Sequence, residues 1–199
     1  MSSLVDREKQ TLLELARRVL TAAVERREFL DNLPVIEILE RPAGAFVTLR
    51  RRGRLRGCIG QLACADPLVQ VVVHCARAAA LEDPRFEPVL PHELPELDIE
   101  LSVLSPLFEM SSEQIAVGRH GLLITRGWQR GVLLPQVAAE YGWPAERFLE
   151  ETCLKAGLER DAWKHPDTRV EAFTAEIFSE SDFRGQVKAP AKPGYSSST

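Results

Sequence analysis

Arg52-Gly53-Arg54-Leu55-Arg56-Gly57 and, 74 residues further on, Arg126-Gly127-Trp128-Gln129-Arg130-Gly131 share the pattern RGxxRG, and this pair decides the fold. Around the first copy, Phe46-Val47-Thr48-Leu49 and Leu55 to Ile59 flank Gly53, which predicts a β-hairpin. The same offset carries Gly44 onto Gly118, and Ile99, Leu101 and Val103 onto Phe173, Ala175 and Ile177. Residues 97–104 alternate apolar with polar side chains, the signature of a half-buried strand. Between hairpin and strand, Pro67 opens a helix carrying Val71, Val72, Cys75, Ala78 and Ala79, and Asp83-Pro84 ends it. In the second half, residues 135–141 and 144–156 read as helices, the latter opening at Pro144. Agreement at both ends of a hairpin–helix–strand unit predicts an internal duplication, with repeats at about 44–104 and 118–178. The expected fold is α+β, an antiparallel sheet from two duplicated strand–helix repeats with packed helices.

Outward from the repeats, Leu12, Leu13, Leu15, Ala16, Val19, Leu20 and Ala23 recur at helical spacing, which predicts an added N-terminal amphipathic helix over 7–28. Asn32-Leu33-Pro34 marks a break. The Pro/Ser-rich stretch from Ala189 to Thr199 predicts a disordered tail over 184–199, leaving 1–183 as one domain. The 199 residues are 45% hydrophobic and 27% charged, enough to bury a core and too apolar for a disordered chain. The net charge of −4 makes no general case for nucleic-acid or membrane binding. No stretch approaches the ~20 apolar residues of a membrane span, and the charged amino terminus lacks the apolar core of a secretory signal. Cys58, Cys64, Cys75 and Cys153 form no CxxC pair, so reduced thiols in a cytoplasmic protein are expected, with no structural zinc site.

Leu55-Arg56-Gly57-Cys58-Ile59-Gly60 is the stretch with the most chemistry in it. Gly57 and Gly60 let a backbone approach a ligand and leave a thiol accessible, while Arg54 and Arg56 can hold an anion or favour a thiolate. The plainer alternative is a small cysteine in a packed strand. His120 maps by the 74-residue offset onto Phe46 and is the best partner for Cys58, as general base or metal co-ligand; a turn histidine satisfied by backbone is the other reading. Asp83 and Arg85 straddle Pro84 as an acid and an anion clamp at a pocket rim, or as a structural ion pair. Gln136 corresponds by the offset to Leu62 and can face the same groove, or cap a helix. Five arginines in the seven residues 50–56 can track phosphates, but no interleaved aromatics offer base stacking, so a solvated hairpin face is preferred. The chain lacks GxGxxG, Walker A and GxSxG motifs.

With Asp83-Pro84-Arg85-Phe86, Gly118-Arg119-His120-Gly121, Leu133-Leu134-Pro135-Gln136-Val137, Lys155-Ala156-Gly157-Leu158 and Ala162-Trp163 following in order, the LRGCIG stretch resembles the AMMECR family, also called AmmeMemoRadiSam system protein A. The resemblance spans roughly residues 10–180. It implies one antiparallel sheet of two strand–helix repeats, and genomic company with a Memo-type protein and a radical-SAM protein. It implies no established activity, and the cofactor is left unknown.

Three functional readings follow. In the first, an enzyme presents Cys58 in a groove between the repeats to a small anionic or carbonyl-bearing substrate, with His120 as base or co-ligand. Arg56 or Arg85 is then the charge clamp, and Asp83 stands nearby. In the second, the same groove is a binding module for a peptide, nucleotide or partner protein. The third and weakest is nucleic-acid binding through the arginine hairpin.

Overall fold

The computed structural model describes residues 3–29, 33, 36–62 and 65–184. Of the features anticipated above, Asn32, Pro34, Cys64 and residues 185–199 lie outside that range; Arg184, the first residue of the expected tail, donates to Asp98 Oδ1 at 2.8 Å.

Helix α1 (Asp6–Val24) buries Leu12, Leu15, Ala16, Val19 and Leu20, and the Glu8 carboxylate caps it by accepting the Val5 N–H at 2.8 Å. It stops short of the expected residue 28 because residues 25–28 are all charged, and Arg26 turns left-handed at φ 54°. Strands β1 (Ala45–Arg51) and β2 (Arg54–Gln61) form the predicted hairpin. Arg52 and Gly53 both have positive φ, the conformation that lets a two-residue turn match strand twist. Helix α2 (Leu68–Leu81) follows, with Pro67 as its N-cap rather than its first residue, and then β3 (Leu97–Leu104). The second half brings β4 (Phe108–Glu109), β5 (His120–Arg126) and β6 (Gln129–Leu133). Helices α3 (Pro135–Glu140) and α4 (Ala145–Lys155), strand β7 (Arg169–Ser179) and a final turn α5 (Glu180–Phe183) complete it.

All strands pair antiparallel in the order β2-β1-β3-β7-β5-β6, with β4 beside β7. The fold is therefore α+β, as the sequence predicts. Period-2 alternation sorts the side chains between two faces. On one face, Ala45, Val47, Leu49, Ile99, Leu101, Val103 and Phe178 pack with α1 and α2. Farther along that face, Leu122, Ile124 and Ala172 pack with Phe148, Leu149 and Cys153 of α4. Two glycines permit this approach: a Cβ on Gly57 would stand 2.2 Å from the Ala79 carbonyl oxygen of α2, and one on Gly131 would stand 2.3 Å from the Ala156 nitrogen. Among the described residues the opposite face carries no helix, and the sheet curls so that edge strands β2 and β6 line two sides of one cavity. Along it, the Phe46 ring lies over Gly60 and the Phe173 ring over Gly121, each a cross-strand Phe–Gly pair in register.

Candidate functional site: the Cys58 edge and the cavity between the sheet ends

Cys58 sits on β2, the outer strand, opposite Thr48 of β1. Because Gly57 and Ile59 face the helices, Cys58 points onto the helix-free face, where it is half-buried and accepts the Thr48 hydroxyl at 3.3 Å. Its backbone groups point away from β1, toward the open edge. There the Cys58 N–H donates to Asp83 Oδ2 at 2.8 Å, and the Cys58 carbonyl accepts Arg85 Nη2 at 3.1 Å. Asp83 and Arg85 clasp one another through Nε–Oδ1 at 2.9 Å and Nη2–Oδ2 at 2.7 Å. One carboxylate and one guanidinium thus satisfy both peptide groups of an edge residue that no strand covers. Asp83 is 4% exposed, and Arg85 with the Cys58 and Arg85 N–H groups holds its carboxyl down to about 2 against the opposing effect of burial. The Arg85 guanidinium is held charged chiefly by Asp83, with the Cys58 thiol adding to the effect.

Four other arginines of this region, Arg50, Arg51, Arg52 and Arg56, are engaged internally. Arg56, the bulge residue of β2, grips Glu93 through Nε–Oε1 and Nη2–Oε2, both 2.9 Å, and donates to the Glu87 and Pro88 carbonyls. Arg51 bridges Glu93 and Glu96, Arg52 reaches Glu96, and Arg50 reaches Glu100. Glu93 is buried, also accepts the Leu90 N–H, and is held down to about 2 first by Arg56 and then by that N–H and Arg51. Arg56 therefore fastens the β2 bulge to the turn before β3. These pairs offset most of the charge of the arginine run, while Arg54 stays exposed.

His120 does not meet Cys58. It opens β5 opposite Thr174 of β7, so β7, β3 and β1 stand between it and β2. Its parity is that of Leu122 and Ile124, which face α4, so the two residues also point to opposite faces of the sheet. His120 Nδ1 accepts the Ala116 N–H at 3.1 Å, and its ring meets Phe108 edge-on at 6.0 Å. Burial, then the Arg119 charge, lowers its pKa, favouring the neutral imidazole this bond needs. The mapping onto Phe46 fails by one residue: β1 begins at Ala45 and β5 at His120, so strand starts differ by 75 and the side-chain parity inverts. Gln136 lies in the first turn of α3 with Oε1 enclosed and without a hydrogen-bond partner among the described residues. Gly57 and Gly60 make room for α2 and for the Phe46 ring.

The cavity between the sheet ends has a volume of about 340 Å³ and is lined by Gln61, Leu62, Leu123, Arg130, Gly131 and Val132. Three apolar side chains with one cation and one amide suit ligand capture. None of these six residues was singled out from sequence. Arg130 was in view as part of the second RGxxRG copy, but no local signal places it opposite Gln61.

The sequence model of the AMMECR1 family matches residues 13–178. A protein of Methanothermobacter thermautotrophicus is 44% identical over 183 residues, covering 87% of this chain and 94% of that protein. Protein TK0174 of Thermococcus kodakarensis is 47% identical over 191 residues, covering 89% and 92%. The crystal structure of uncharacterized protein PH0010 from Pyrococcus horikoshii has a TM-score of 0.78 at 43% identity, covering 85% of this chain and 89% of that one. Among the described residues no helix is long and apolar enough to cross a membrane.

Proposed function

The chain belongs to the AMMECR1 family, and from that premise we propose that it is a binding module whose ligand occupies the cavity between β2 and β6. The observation that carries this reading is the assignment of work among the polar residues. Arg56, Asp83 and His120 each have structural partners, whereas Arg130 and Gln61 line a cavity with apolar walls. Its test is mapping a fragment collection by backbone amide shifts. The expected result is that hits perturb Gln61, Leu62, Leu123, Arg130 and Val132 together. Hits confined to other cavities refute the reading.

One observation favours the second reading, an enzyme with Cys58 as nucleophile. The thiol is half-exposed and stands beside the Thr48 hydroxyl and the Arg85 guanidinium, without His120. Replacing Cys58 by Ser, nearly isosteric, is expected to leave the melting temperature within about 2 °C, since the change keeps the Thr48 contact available. Mass spectrometry after iodoacetamide treatment is expected to find Cys58 alkylated well before buried Cys75 and Cys153 in the parent protein. Alkylation of Cys58 no faster than of those two removes this second reading.

The family resemblance supports Memo-type and radical-SAM proteins as functional partners, and a chain without a membrane-spanning helix among its described residues suits a cytoplasmic setting. We read residues 1–183 as one domain built from two repeats. What supports the duplication is that each half offers a hairpin at one sheet end, with β3 and β7 adjacent at the centre.

A further inference from the structure

Resting on the reading of the β2–β6 cavity as the binding site, we propose that its occupant is an extended peptide segment of a partner protein, added as a strand between the two sheet edges. The backbone geometry carries this. The two-residue turn Gly127-Trp128 makes Arg126 and Gln129 a hydrogen-bonded pair, so pairs alternate along the hairpin. Arg130 (opposite Thr125) and Val132 (opposite Leu123) then belong to non-hydrogen-bonded pairs, and their N–H and C=O groups point outward from β6. On β2 the outward direction is marked by Cys58, whose peptide groups meet Asp83 and Arg85; Gly60, two residues on, points the same way. Among the described residues nothing pairs with the outward groups of Gly60, Arg130 and Val132. Asp83 and Arg85 close the β2 edge at Cys58 and leave open the part that borders the cavity.

Two unpaired edges facing one cavity are a template for a strand, because only another extended backbone satisfies donors and acceptors on both sides. β2 and β6 run antiparallel to each other in this order of strands, so the inserted segment runs antiparallel to one and parallel to the other. The side chains set its chemistry. Leu123, Arg130 and Val132 lie on the helix-free face, where alternate residues of the segment also point. The segment therefore places an apolar side chain against Leu123 and Val132 and, two residues away, a carboxylate against Arg130. Three residues of β6 and two at the end of β2 border the cavity, so a segment of four to six residues suffices, at roughly 3.3 Å per residue.

The test uses a blocked hexapeptide alternating threonine with glutamate, valine and isoleucine, and the full chain. Saturating peptide is expected to slow amide hydrogen exchange at Gly60, Arg130 and Val132 at least ten-fold. A peptide N-methylated at alternate positions is expected to lose both binding and protection. Val132→Pro removes an outward donor without touching the β5 ladder and is expected to weaken binding at least ten-fold. Arg130→Glu, which spares the fold, is expected to reverse the preference from a glutamate to a lysine peptide. Binding without amide protection, or undiminished binding of the N-methylated peptide, overturns strand addition. Fragments mapping to the cavity while the peptide fails leave the binding module standing and overturn this occupant alone. Protection that grows with protein concentration in the absence of peptide overturns it in favour of a second copy of the chain.

Discussion

Acidification from pH 5 to pH 2 is expected to remove about 5 kcal/mol from the stability of this protein, and two buried carboxylates account for it. Asp83 has an ordinary value of 3.8 and Glu93 one of 4.5, and both are held at about 2 in the folded chain. A depressed folded pKa means stability that is fully present above the unfolded value and lost as pH falls through the folded one. The window is therefore about pH 4.5 down to 2. At ~1.4 kcal/mol per unit, Asp83 contributes roughly 2 kcal/mol and Glu93 roughly 3 kcal/mol. That sum is a large share of the 5–15 kcal/mol typical of a domain. Urea unfolding at a series of pH values measures it. Asp83→Asn and Glu93→Gln are each expected to lower stability at pH 7 and flatten the acid limb. A double variant whose stability falls with acid as steeply as the parent's removes the assignment. The physical reason is that both carboxylates are buried acceptors of fixed donors: Asp83 takes the edge N–H of Cys58, and Glu93 takes the guanidinium of Arg56.

Gly57→Ala is expected to cost about 3 kcal/mol or more, where Gly53→Ala costs about 1 kcal/mol. The two glycines stand four residues apart in the same motif region, yet they meet different surroundings. A Cβ at Gly57 lands 2.2 Å from the Ala79 carbonyl oxygen, a backbone atom of a fourteen-residue helix, while β2 is held by its ladder to β1. Neither element can yield without losing hydrogen bonds or core contacts of Val47, Leu49, Val72 and Cys75. At Gly53 a Cβ meets nothing within 4 Å, and the cost is the positive φ of 76° alone. Chemical denaturation of the two variants side by side measures the difference. A Gly57→Ala protein as stable as Gly53→Ala would show that β2 and α2 do not rely on this contact.

What was legible in the sequence and what was not divide along the range of the interactions. Hairpins, helices and the α+β class were readable because turn residues, prolines and apolar periodicities act over a few neighbours; 97–104 was expected as a strand and forms β3. Boundaries moved by a few residues where charge ran out of core to pack against, as at the end of α1. The residues of the motif Leu55–Gly60 divide by face and edge, which sequence does not display.

Cys58 and His120 were brought together by an offset that was off by one at a strand start, and one residue is enough to send a side chain to the other face. Glu93 and Arg130 escaped notice because their significance lies in partners 37 and about 70 residues away. By itself, then, the sequence determined the elements, their class and the family resemblance, since these rest on local propensity and pattern. Only the tertiary structure decided that Arg56 and Asp83 are fastenings, that His120 stands apart, and that two open strand edges border one cavity. Those outcomes depend on strand order, register and the curl of the sheet, which bring together groups that no spacing along the chain connects.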